Sequence, residues 1–201
     1  MTTEGPESAR EIAIFPLRTV LFPGGPLPLR IFEPRYVDMV SRCLRQEQPF
    51  GVCLIREGRE VADAATPHGL GTLARIVDWE QRSDGLLGVT ALGEERFRIL
   101  RSRLAPDRLR LAEIERLGPE PAVTLPPQPA DITQLLDRVL AMTSLGYHHC
   151  PRRDTDAAWL AGRLAEVLPV SLEHKQQLLS LDDPVDRLRT LQEIVPQLRL
   201  E

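Results

Sequence analysis

The sequence predicts an α+β chain: a mostly-β part with one helix, followed by an α-helical bundle. Three observations predict it. Before residue 118, apolar residues alternate with period two in several short runs. Beyond residue 130 they recur three and four residues apart, the spacing of a helix face. Between the two lie five prolines, Pro119, Pro121, Pro126, Pro127 and Pro129, a composition that makes an extended, semi-rigid connector. The expected layout is a flexible tail over 1–10, a β-rich part over 11–118, the connector over 119–130 and a helical part over 131–201. A chain of 201 residues accommodates one domain or two small ones and buries a core without disulfide or metal support.

The elements follow in order. Ile12 and Ile14 open a short strand in which Pro16 restricts pairing to an edge or an end. Phe22-Pro23-Gly24-Gly25-Pro26 is a turn, since proline fixes φ and glycine permits positive values. A second strand covers residues 27–31. Glu33-Pro34 starts a helix, with proline at the first position, where its missing N–H costs nothing. Tyr36, Val40, Cys43 and Leu44 form its apolar stripe, and Pro49 closes it. Residues 50–55 make a buried strand, 58–71 a loop, and 72–79 another strand. After the hairpin turn Ser83-Asp84-Gly85 come two runs, 86–92 and 97–104, which Gly93-Glu94-Glu95 separates. Pro106-Asp107 turns into a last strand over 109–116.

Four helices follow. Asp131 caps the first, with Ile132, Leu135, Leu136, Val139 and Leu140 on one face and Gly146 as its stop. Leu160, Leu164, Val167 and Leu168 mark the second, which ends at Pro169. Ser171 caps the third, carrying Leu172, Leu178 and Leu179. Asp183-Pro184 opens the fourth, with Val185, Leu188, Leu191 and Ile194 apolar.

Charge and composition narrow the function. The net charge of −4 opposes non-specific nucleic-acid binding, which depends on excess Lys and Arg. No apolar run approaches membrane-spanning length, and residues 1–10 have no signal-peptide pattern. Three cysteines without a CxxC fit a reducing cytoplasm. Walker-type GxxxxGK[ST] and GxSxG motifs are missing. Tyr147-His148-His149-Cys150 reads as a polar loop rather than a metal site, because no second ligand pair stands at a recognised spacing. No metal or cofactor is expected. Cys43 and Cys53 read as small buried hydrophobes. Arg96, Arg98, Arg101 and Arg103 alternate with apolar residues, as on the solvated face of a half-buried strand.

Several motifs combine into a resemblance. Phe15-Pro16-Leu17, Leu21-Phe22-Pro23-Gly24-Gly25, Leu27-Pro28-Leu29 and Ile31-Phe32-Glu33-Pro34-Arg35-Tyr36 resemble the opening of the N-terminal, substrate-binding domain of Lon proteases, and more closely the stand-alone bacterial proteins built from it. Residues 50–52, 71–76 and 93–99 continue the pattern. Leu168-Pro169, Lys175-Gln176, Leu178-Leu179, Asp182 and Arg187-Leu188 resemble the helical part that follows.

The resemblance implies a PUA-like pseudo-barrel with one helix, then helices. It also implies a non-catalytic recognition module for polypeptides or partner proteins in protein quality control, without the ATPase or Ser/Lys protease of Lon. Possible company includes a protease acting in trans or a second copy in a homodimer. No catalytic residue carries over. Pro23, Gly24, Glu33, Pro34, Arg35 and Tyr36 are expected to be architectural, with Arg35 tying loops together. Phe22, Leu27 and Phe32 are the candidate exposed peptide contacts. The alternative is a PUA-like RNA- or nucleotide-binding module, in which Arg96, Arg98, Arg101 and Arg103 touch phosphate.

Overall fold

The structure, a computed structural model, describes residues 11–58, 65–126, 134, 136–138, 140–141 and 146–194. The expected tail and several positions of the first C-terminal helix lie outside them; residues 134, 136–138 and 140 are helical.

The β part is a sheet that closes on itself. Strands β1 (Ile12–Leu17), β2 (Pro26–Ile31), β3 (Phe50–Glu57), β4 (Thr66–Pro67), β5 (Leu70–Gln81), β6 (Leu87–Leu104) and β7 (Arg110–Arg116) run in the order β1-β7-β6-β5-β3-β4. A parallel pairing of β1 with β3 joins the ends into a barrel, and β2 lies along the first part of β6. Closure removes most of the exposed sheet edge. Pro16 is tolerated because β7 pairs only with Ile12 to Ile14, so no β7 partner stands opposite the position without an N–H.

Several strand boundaries differ from expectation: β4 and the start of β5 fall within the expected loop 58–71, where they pair with β3 and β6. Residues 86–92 and 97–104 are one strand of 18 residues, and Gly93-Glu94-Glu95 is no turn. There β6 changes its outer partner from β2 to β7, while β5 stays paired along its length with shifts of register. Gly93 makes the switch possible: a Cβ on it would stand 2.3 Å from the Phe22 carbonyl oxygen. Without one, Gly93 exchanges main-chain hydrogen bonds with Gly24 and Gly25, at 2.7 and 2.8 Å.

Helix α1 (Pro34–Gln46) covers one side of the barrel with Tyr36, Met39 and Val40 buried. Met39 takes the place expected for Leu44, which is exposed. Eight residues at about 100° each carry Leu44 about 80° off the Tyr36 direction. Helices α2 (Ala157–Val167), α3 (Leu172–Ser180) and α4 (Pro184–Ile194) come later in the chain. The Asp156 carboxylate caps α2 by accepting from the Ala158 and Trp159 amides, and Ser171 caps α3.

Burial falls into clusters. One fills the barrel under α1, around Phe15, Leu17, Leu27, Ile31, Tyr36 and Phe50. Another joins Val20, Phe22 and Leu54 of the β part to Trp159, Leu160, Leu164, Leu178 and Leu191 of the helices. The described part of the proline-rich segment is stitched to the helices at residues 123–125. The Leu125 amide donates to the Thr155 carbonyl, the Ala157 amide donates to the Val123 carbonyl, and Thr124 bridges to Asp156.

Candidate binding cleft and the seam that forms it

Two buried ionic clusters hold the helices against the barrel. The first sits at the Pro-Gly turn. Arg163 of α2 is wholly buried and donates to both oxygens of Glu166, at 2.8 and 2.7 Å, and to the Pro23 carbonyl at 3.2 Å. The Tyr147 hydroxyl donates to Glu166 at 2.9 Å. The turn fits because it lacks side chains. A Cβ on Gly25 would lie 2.0 Å from the Glu166 carboxylate, and Gly24 holds φ +72, where larger residues are strained. Burial, and then Glu166, push the Tyr147 hydroxyl pKa up, so it stays a donor.

The second cluster closes the C-terminal end of α3. Its last carbonyls have no partner within the helix. Arg96 of β6 donates to the carbonyls of Leu179 and Leu181, at 2.9 and 3.0 Å. Arg187 of α4 donates to those of Leu178 and Leu181, at 2.9 and 3.0 Å. Glu120, from the proline-rich segment, lies between the two guanidiniums with its side chain only 5% exposed. Cations at a helix C-terminus also complement its dipole. Arg187 in turn lies 5.7 Å over the Phe22 ring.

Between barrel and helices lies a cleft of about 640 Å³. Leu17, Val20, Leu21, Leu27, Leu29 and Val167 give it an apolar lining, with Pro26 and Pro28 from β2. Its polar lining groups are Arg18, Thr19, Tyr147, Glu166 and Lys175, the only lysine in the chain. Among the described residues, no group of three or more His, Cys, Asp or Glu is placed to hold a metal ion. Burial pushes the Cys150 thiol up to about 11 and the Cys43 and Cys53 thiols up as well, which keeps all three protonated and weak as nucleophiles.

The expected contact residues separate. Phe22 is fully buried in the seam and Leu27 is 9% exposed, so neither is the open apolar contact anticipated; turn and strand point them inward. Leu27 still borders the cleft. Phe32 is 53% exposed and is not part of the cleft lining. Glu33 pairs with Arg35 at 2.7 Å, and Arg35 also donates to the Arg108 carbonyl and lies 4.7 Å over the Tyr36 ring. Tyr36 stacks on Phe15.

The arginine run separates too. Arg96 does not share the expected solvated face; it is 4% exposed and engaged by the end of α3, Glu120 and Asp182. Arg98 pairs with Glu115, Arg103 with Glu11, and Arg101 stands opposite Glu113 in the ladder. Carboxylates therefore accompany each strand arginine. Sequence reasoning passed over Arg163, Glu166, Trp159 and Glu120. The available signal was a charge within an apolar helical run, Leu160 to Leu164, where a solvent-facing arginine is out of phase.

The fold and seam define a class: a mostly-β barrel with C-terminal helices locked onto one turn and an apolar cleft between them. The family model for the ATP-dependent protease La (LON) substrate-binding domain matches residues 11–197, and the chain belongs to that family. A crystal structure of a Lon N-terminal domain protein from Xanthomonas campestris superposes with a TM-score of 0.72 at 36% identity, covering 92% of this chain and 98% of that one. The N-terminal domain of a Mycobacterium avium complex Lon protease shares the fold, with a TM-score of 0.62 at 18% identity over 90% of this chain and 96% of that one. Lon protease from Anaeromyxobacter dehalogenans is 26% identical over 94% of this chain; the matched region is 23% of that protein. The chain thus spans about a quarter of the length of the curated relatives it matches first. The matches fall on the substrate-binding domain and support a protein-recognition module. No helix among the described residues is long and apolar enough to cross a membrane.

Proposed function

We propose that this chain is a non-catalytic recognition module that binds apolar polypeptide segments in the cleft between barrel and helices. The observation that carries the reading is the cleft itself. At about 640 Å³ it lies within the range of ligand pockets, roughly 300–1,000 Å³, and it has a mainly apolar lining with few polar groups. The family's substrate-binding description supports the same reading. The lining strand β2 carries Pro26 and Pro28, which have no N–H to donate, so the bound segment is held by side-chain contact rather than by joining the sheet. The partner-neutralised arginines weigh against a phosphate track.

The test is binding of a fluorescent, permanently unfolded polypeptide, followed by anisotropy. Leu29→Glu puts a charge in the apolar lining and is expected to weaken binding at least about fivefold. Phe32→Ser, outside the lining, is expected to leave it unchanged. Binding that ignores Leu29→Glu, or none above that of a scrambled control, rejects the cleft as the site.

A further inference from the structure

The cleft has a charge of its own, opposite to that of the chain. Of its lining groups, Arg18 and Lys175 are cations and Glu166 is the one carboxylate. Glu166 is already taken: Arg163 engages both its oxygens and the Tyr147 hydroxyl donates to one of them. Arg18 is exposed and forms no ion pair among the described residues. Lys175 is half-buried, and its ammonium gives one hydrogen bond, to the Glu166 main-chain oxygen at 2.8 Å. An ammonium has three N–H donors, so two remain for whatever enters the cleft. Burial lowers the Lys175 pKa, against the pull of Glu166, so a negative group beside it would relieve a cost already present. The cleft that Lys175 borders is otherwise lined mainly by leucine, valine and proline, and β2 has no N–H at Pro26 or Pro28 to hold an extended chain passing through. Such a place offers apolar contact and one fixed cation, which suits an apolar chain that ends there.

Resting on the cleft reading above, we propose that the cleft recognises the C-terminal end of an apolar polypeptide, with Lys175 receiving its terminal α-carboxylate and Arg18 assisting at the rim. Lys175 acts as a point charge, tolerant of the angle of approach, and the leucine lining takes the last side chains. The chain's acidic balance then favours ends that carry no further negative charge, since the cation is local and the rest of the surface repels.

Three fluorescent peptides of one leucine-rich sequence test this: free acid, C-terminal amide, and amide with one aspartate inserted before the end. The free acid is expected to bind about tenfold tighter than the amide, the ratio given by a charge-assisted hydrogen bond of about 1.5 kcal/mol. The aspartate-bearing amide is expected to bind no better than the plain amide. Lys175→Met keeps the aliphatic stem and is expected to erase the acid-to-amide ratio while leaving amide affinity in place; Lys175→Arg is expected to retain most of it. Thermal melts of both variants confirm the fold. Equal binding of acid and amide, a ratio that survives Lys175→Met, or an aspartate-bearing amide as tight as the free acid overturns the assignment while leaving the cleft as a binding site. Failure of all three peptides to bind overturns the cleft reading together with it.

Discussion

The two ionic clusters along the seam look alike in composition and differ in how they are built. At the Pro-Gly turn, Arg163 and Glu166 stand three residues apart on one helix, and the barrel contributes a carbonyl and room free of side chains. At the end of α3, Glu120, Arg96 and Arg187 come from three separate segments; four hydrogen bonds run from the two guanidiniums to carbonyls at the helix end, and both guanidiniums pair with Glu120. The ion pair of the first cluster is in place once α2 forms; the second exists only when barrel, connector and helices have all met. A pair within one helix positions a surface. A pair across segments makes the folding of those segments interdependent, because each partner left alone is a buried charge.

Substitutions at the two clusters separate their roles, from the largest expected cost to the smallest. Glu120→Leu leaves buried Arg187 without a carboxylate and Arg96 with only the exposed Asp182, and is expected to cost about 3–5 kcal/mol in urea unfolding, with loss of a single cooperative transition as the decisive sign. Arg163→Met removes the counter-charge of Glu166, but that carboxylate borders the cleft and can turn to water, so about 2 kcal/mol is expected. A cost equal to that of Glu120→Leu would show that the two clusters do not differ. Gly25→Ala forces its new methyl onto Glu166 and is expected to cost about 1–3 kcal/mol. If Arg163→Met is combined with it, the methyl should be tolerated better, which a double-mutant cycle reads directly. Tyr147→Phe removes one hydrogen bond to Glu166 and is expected to cost about 1 kcal/mol. Phe32→Ser, on an exposed position away from the seam, is expected to stay within about 0.5 kcal/mol.

Some of the residues that carried the family resemblance serve the seam as well as their own loops. Pro23 and Gly24 shape a turn, as turn chemistry says, and that turn is also the surface on which α2 lies. Arg187, quoted in the helical block of the resemblance, is one of the cations that close α3. The arginine excess, 24 of the 25 basic residues, thereby gains a partial physical account. Arg96, Arg163 and Arg187 are buried with acceptors fixed around them, the arrangement for which a planar, permanently charged fork is suited and an ammonium is not. The one lysine stands apart, half-buried in the cleft.

The sequence carries the kind and order of the longer elements, though not β4 or the unbroken run of β6. Period-two and helical spacing, proline at the start of α1 and α4, and capping Ser171 and Asp183 act within a few residues, so they are readable locally. It also carried enough motif to name the family. Only the tertiary structure decided that Gly93-Glu94-Glu95 continues a strand, that Phe22 and Arg96 turn inward, and that Glu120 sits between two guanidiniums. Each depends on what arrives from far along the chain: the 22–25 turn against Gly93, α3 against Arg96, α4 against Phe22. A side chain's burial is set by its partner. For these residues the partners lie from 24 positions away, as for Glu120 and Arg96, to 165, as for Phe22 and Arg187, beyond the reach of any local pattern.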